Sequence, residues 1–89
     1  MQIEAALIKE QGITFVVAPV KSHILGSPTR REEVRRAISA YFDGAPTILM
    51  EQDVRGVPTF HGRRDIANFL RNVPLDRLPW RRYRITNAA

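Results

Sequence analysis

ITFVVAPV, residues 13–20, sets the architecture of the chain. Its two pleats are both apolar: Ile13, Phe15 and Val17 on one, Val16, Ala18 and Val20 on the other. A strand rich in β-branched residues and apolar on both sides belongs in the middle of a sheet. It is also far shorter than the roughly 20 residues a membrane-spanning helix needs. Pro19 lacks an N–H, so it marks a bulge or the strand's exit. After such a bulge Lys21 to Leu25 would continue the strand.

Upstream, Ile3, Ala5 and Leu7 alternate with Gln2 and Glu4. This is the period of a half-buried strand whose apolar face carries the odd positions. Gln11 and Gly12 supply the turn between the two strands. Downstream, Gly26-Ser27-Pro28 breaks the chain, and Thr29 with Glu32 has the spacing of a capping box. Val34, Ala37, Ile38, Tyr41 and Phe42 then recur at helical spacing until Gly44 and Pro46.

Residues 47–52 read as a third strand and 53–56 as a turn. Residues 57–61 read as a short fourth strand, placed at a sheet edge by Pro58. Ile66, Phe69, Leu70 and Val73 form a second, shorter amphipathic helix stopped by Pro74. Leu75, Leu78 and Trp80 fold back on the core, and residues 81–85 read as a fifth strand.

The fold class expected is therefore α+β, in the order ββαββα(β). Its sheet is mostly antiparallel, with four or five strands and two helices on one face. One domain covers residues 1–86, and residues 87–89 form a frayed tail. Phe15, Val16, Val17, Val34, Ile38, Leu49, Ile66, Phe69 and Leu70 are the expected core. With both helices on one face, the apolar residues of the other face would be left open, which admits a homodimer.

The two hairpin–helix units also resemble each other. Ile8 to Phe15 parallels Leu49 to Phe60, and Arg30-Arg31-Glu32 before one helix parallels Arg63-Arg64-Asp65 before the other. A duplicated ββα unit would explain both matches.

Val54-Arg55-Gly56-Val57-Pro58-Thr59-Phe60 resembles the cis-proline loop of the thioredoxin family. The resemblance implies a cis Val57–Pro58 bond and covers these seven residues alone. The chain has no cysteine, so the family's redox chemistry does not come with it, nor do disulfides or thiolate metal sites.

The charge of the chain is lopsided. Residues 63–89 hold seven arginines (Arg63, Arg64, Arg71, Arg77, Arg81, Arg82, Arg84) against Asp65 and Asp76, which equals the whole net charge of +5. The first 62 residues hold seven basic and seven acidic residues, which cancel. Arginine-rich codon usage would account for twelve arginines against two lysines, but not for their gathering after position 62. Such a field calls for an anionic partner.

Two stretches are the candidates for it. His61-Gly62-Arg63-Arg64 opens the second helix, where free backbone N–H groups favour an anion. Trp80-Arg81-Arg82-Tyr83-Arg84 combines guanidinium groups for phosphate with rings for stacking. As a strand it places Trp80, Arg82 and Arg84 on one face and Arg81, Tyr83 and Ile85 on the other.

Catalytic and metal motifs are absent from the sequence. His23 and His61 stand far apart without metal-ligand spacing, and no serine lies in a nucleophile elbow. No cofactor is expected. The N-terminus, Met1-Gln2-Ile3-Glu4, has no basic region before an apolar run, so neither a signal peptide nor membrane association is expected, and a cytoplasmic setting is the default.

The function expected is a small non-enzymatic binding module. His61, Arg63, Arg64, Trp80, Arg81, Arg82, Tyr83 and Arg84 would engage an anionic macromolecule, most simply nucleic acid. The alternative is a protein-interaction or homo-oligomerisation domain whose arginines meet an acidic protein surface. More remote is a small anion binder or enzyme with its anion pocket at His61 to Arg64, a reading that a pocket joining both histidines to a buried carboxylate would favour.

Overall fold

β2 (Ile13–Pro19) is the middle strand of a five-stranded sheet with the order β4-β3-β2-β1-β5. The computed structural model describes residues 2–10 and 12–85. β1 (Gln2–Glu10) pairs antiparallel with β2 on one side and with β5 (Trp80–Arg84) on the other. β3 (Thr47–Gln52) runs parallel to β2, and β4 (Pro58–His61) closes the far edge antiparallel to β3. The fold is α+β in the order ββαββα(β), and its sheet is antiparallel except at the β2–β3 pair.

A parallel pair needs a crossover. Here a single helical turn, α1 (Ser22–Leu25), and the long helix α2 (Pro28–Tyr41) provide it. The lever is Pro19: its successor Val20 still donates to Met50 O (2.7 Å), after which the chain turns into α1. The expected continuation of the strand through Leu25 is thus replaced by a helix.

The start of α2 also differs from the sequence reading. Ser27, not Thr29, is the cap: its hydroxyl accepts from Arg30 N at 3.3 Å, and Pro28 occupies the first turn. Proline is preorganised for that position because its missing N–H would be unpaired there anyway.

The helices pack on opposite faces of the sheet, which corrects the expectation of two helices on one face. Ala5, Val16, Ala18 and Leu49 form one core with Ile38 of α2. Ala6, Phe15, Val17, Ile48 and Met50 form the other with Ile66 and Leu70 of α3 (Arg64–Leu70) and Leu78 beyond it. The physical reason lies in β2 itself: a strand apolar on both pleats needs cover on both. Both faces being covered, an open sheet face no longer argues for a homodimer.

The opposite-face packing also speaks against the duplicated unit. Phe15 and Phe60 correspond in the sequence match, yet both lie in the α3-side core, although their own units' helices take opposite faces.

Seven of the nine expected core residues are buried; Val34 is half-buried and Phe69 is 36% exposed. Ala5, Ala6, Ala18, Ile48, Met50, Ala67, Leu78 and Ile85 join them. The Val57–Pro58 bond is trans, so the thioredoxin-like stretch keeps only its sequence likeness. The expected tail, residues 87–89, lies outside the described residues.

Candidate functional site

The strand order divides the sequence-derived site in two. His61 ends β4 and Arg63 and Arg64 follow it, whereas residues 80–84 are β5. β4 and β5 are the two edges of the sheet. Three strands lie between them, so at about 4.8 Å per spacing the groups stand roughly 19 Å apart.

On the β4 side Arg63 is matched within the fold, whereas Arg64 forms no ion pair among the described residues. Gly62 (φ +149°) turns the chain so closely over β3 that an added Cβ would lie 2.6 Å from Ile48 Cδ1 and 2.9 Å from Thr47 O. The next residue, Arg63, donates from Nε and Nη2 to the two carboxylate oxygens of Asp65, at 2.9 and 2.8 Å. That pair holds the Asp65 carboxyl below its ordinary range and raises the Arg63 guanidinium.

Across the adjoining cleft, Arg35 of α2 makes the same forked contact with Glu32, both bonds at 2.9 Å. His61 Nε2 lies 3.5 Å from Glu32 Oε2. The Arg35 hydrogen bonds, more than the nearby His61, draw the Glu32 carboxyl down to about 2. Arg64 is exposed at the start of α3. A cleft whose two arginines already hold carboxylates bidentately offers little to a further anion.

The β5 side is different. Arg81, Arg82 and Arg84 are all exposed, and none forms an ion pair with a carboxylate among the described residues. Glu4 is the register partner of Arg82 in β1 without closing onto it. The alternation read from the sequence holds: Trp80 packs with the α3-side core, while Tyr83 and Ile85 belong to the α2-side core. Arg82 and Arg84 therefore share the α3 side, and Arg81 faces the α2 side.

The two rings named from the sequence are engaged inside the fold. Trp80 is half-buried, and its indole Nε1 donates to Leu75 O at 2.7 Å. Tyr83 is half-buried beneath the end of α2, edge-on to Phe42 at 4.9 Å and to Tyr41 at 6.2 Å between ring centroids. The ring of that cluster that stays open is Tyr41, 43% exposed, beside an equally open Leu7 at 41%. The sequence reading placed both on apolar stripes. The signal for Tyr41 is its place as the last residue of α2, where the stripe runs out toward the sheet's rim.

The histidines do not meet. His61 lines the Glu32–Arg35 cleft at the start of β3, and His23 lines a separate cleft with Lys21, Glu51 and Asp53 at the end of β3. Among the described residues no three acidic or histidine side chains are grouped to hold a metal ion. No described helix is long and apolar enough to cross a membrane. No protein-family model, curated protein or solved structure matches this chain.

Proposed function

We propose that the protein is a non-enzymatic binding module that engages an anionic macromolecule, most simply nucleic acid, along β5. The observation that carries this reading is the state of Arg81, Arg82 and Arg84. They are three exposed guanidinium groups on one edge strand without carboxylate partners among the described residues; Arg36, Arg55, Arg64, Arg71 and Arg77 are exposed without such partners too, but none of them lies on a strand. Holding like charges side by side costs free energy, and an anion running along the edge removes that cost. Of the residues named from the sequence, the β5 group forms the binding edge. His61, Arg63 and Arg64 lie on the other edge and serve this partner only as a remote second contact.

The test is titration of fluorescently labelled single- and double-stranded oligonucleotides at several salt concentrations. Each phosphate neutralised adds about −0.7 (single strand) to −0.9 (duplex) to the log–log salt slope. Arg81→Gln, Arg82→Gln and Arg84→Gln should each flatten the slope by about one such step, and Arg63→Gln should leave it unchanged. Weak binding with a flat salt response would refute the proposal.

A second reading rests on the outer edge of β5, which has no strand partner among the described residues. An acidic protein segment adding there as a sixth strand would satisfy both its backbone and its arginines. Two copies of β5 pairing with each other would instead set arginines against arginines, which disfavours a dimer through this edge. Sedimentation with and without an acidic peptide separates these cases.

A further inference from the structure

We infer that Tyr41, on the side of the sheet to which Arg81 points, is a stacking site for one base of a single-stranded nucleic acid whose backbone follows β5; this rests on the β5 reading above. The placement follows from register. Ile3 faces Tyr83 and Ala5 faces Arg81 across the β1–β5 pair, and Leu7 lies two residues further along β1 on the same pleat. Tyr41 touches Tyr83 at one end of this row and shares an open cleft with Leu7 at the other. It therefore lies on the side of the sheet to which Arg81 points.

The chemistry of the surroundings suits a base. The Tyr41 ring is braced edge-on by Phe42 (5.0 Å) and Tyr83 (6.2 Å), so little freedom is lost when something stacks on its exposed part. Leu7 gives the cleft an apolar floor, and Thr14 and Asp43 give it polar rims. Asp43 repels phosphate, which assigns the backbone to Arg81, Arg82 and Arg84 and leaves the cleft to the base. A base inside a duplex is already stacked and paired, so the site selects single strands.

The experiment uses the full chain with a labelled mixed-sequence single strand, the same backbone made abasic, and a duplex. Tyr41→Leu keeps apolar packing on Tyr83 and removes the π surface, while Tyr41→Phe keeps both. Base stacking on an aromatic side chain corresponds to a loss of about five- to a hundredfold on its removal. The expected result is such a loss for Tyr41→Leu at an unchanged salt slope, near-native affinity for Tyr41→Phe, and equally weak binding of the abasic strand and the duplex by the native chain.

If Tyr41→Leu binds within about twofold of native while the salt slope persists, the stacking site is wrong and the β5 phosphate reading stands. If no oligonucleotide binds in a salt-dependent way, the β5 reading fails and the stacking site with it. If Tyr41→Leu does not fold by circular dichroism, the native chain decides: equal affinity for the normal and abasic strands overturns the inference.

Discussion

Gly62→Ala should be among the most damaging single-methyl additions the chain can suffer. Gly62 adopts φ +149°, a conformation L-residues rarely take, and its missing Cβ faces Ile48 Cδ1 at 2.6 Å, Thr47 O at 2.9 Å and Ile48 Cα at 3.3 Å. Ile48 is fully buried, so its side chain has little room to turn away, and Thr47 O is β3 backbone. Strain at a glycine-only conformation costs about 1–3 kcal/mol and overpacking a core about the same. A loss of about 2–5 kcal/mol follows, or a fall in Tm of roughly 10–30 °C for a domain this size.

Gly44→Ala is the control. Gly44 also has positive φ (+81°), but nothing lies within 4 Å of its added Cβ, so only about 1 kcal/mol of backbone strain is expected. Ile48→Val removes the Cδ1 atom that the new methyl would strike. In a double-mutant cycle it should recover about 0.5–1.5 kcal/mol of the Gly62→Ala loss, leaving the part due to Thr47 O. Urea unfolding followed by far-UV circular dichroism and Trp80 fluorescence measures all four variants. If Gly62→Ala falls within about 0.5 kcal/mol of Gly44→Ala, with no coupling to Ile48→Val, the close approach of this turn to β3 is refuted.

Two further outcomes follow from the caps and ion pairs. Ser27→Ala should cost about 0.5–1 kcal/mol, the low end for a lost N-cap because its bond to Arg30 N is long and exposed, while Thr29→Ala should change stability by less than about 0.5 kcal/mol. Urea midpoints decide between them, and the reverse ranking would restore the capping box read from the sequence. Glu32 ionises at about 2 in the folded chain against 4.5 ordinarily, so its contribution is complete above pH 4.5 and disappears as pH falls through 2. The stability gap between native and Glu32→Gln should close over that window. Its size stays under about 1 kcal/mol, because the side chain is 41% exposed and screened. A gap independent of pH would remove the Arg35–Glu32 pair as its cause.

Strands and helices were legible wherever one residue's chemistry forced the choice. Residues 13–20 demanded a central strand, Pro58 demanded an edge, and the residues found as β3 and β5 were placed within one residue of their bounds. What the local pattern did not carry was how the elements come together. Periodicity says that Ile38 and Ile66 each face a core, but not that these are two cores on opposite faces. The clue lay in β2 all the same, because Phe15 and Val17 need a cover distinct from the one over Val16 and Ala18. Ser27 and Thr29 differ in the sequence by two positions and equally attractive chemistry, and Pro28 settles the choice through the geometry of the first turn.

The same gap between order along the chain and order in space governs the site. Arg63 and Arg84 belong to one basic stretch in the sequence, yet the chain leaves β4, crosses the α3 face and returns on the far side of β1. Nothing in the charges of residues 63–84 favours that route over β5 pairing beside β4. Pro58 does, since a strand whose N–H is missing makes a poor neighbour for a further strand, whereas β1 offers a full complement of donors along Gln2 to Ala6. The proline that terminates one edge thereby sends the last arginines to the other. There they lie clear of Glu32 and Asp65, the carboxylates that engage His61 and Arg63, and Arg81 alone of the three points to the side of the sheet on which Tyr41 meets Tyr83.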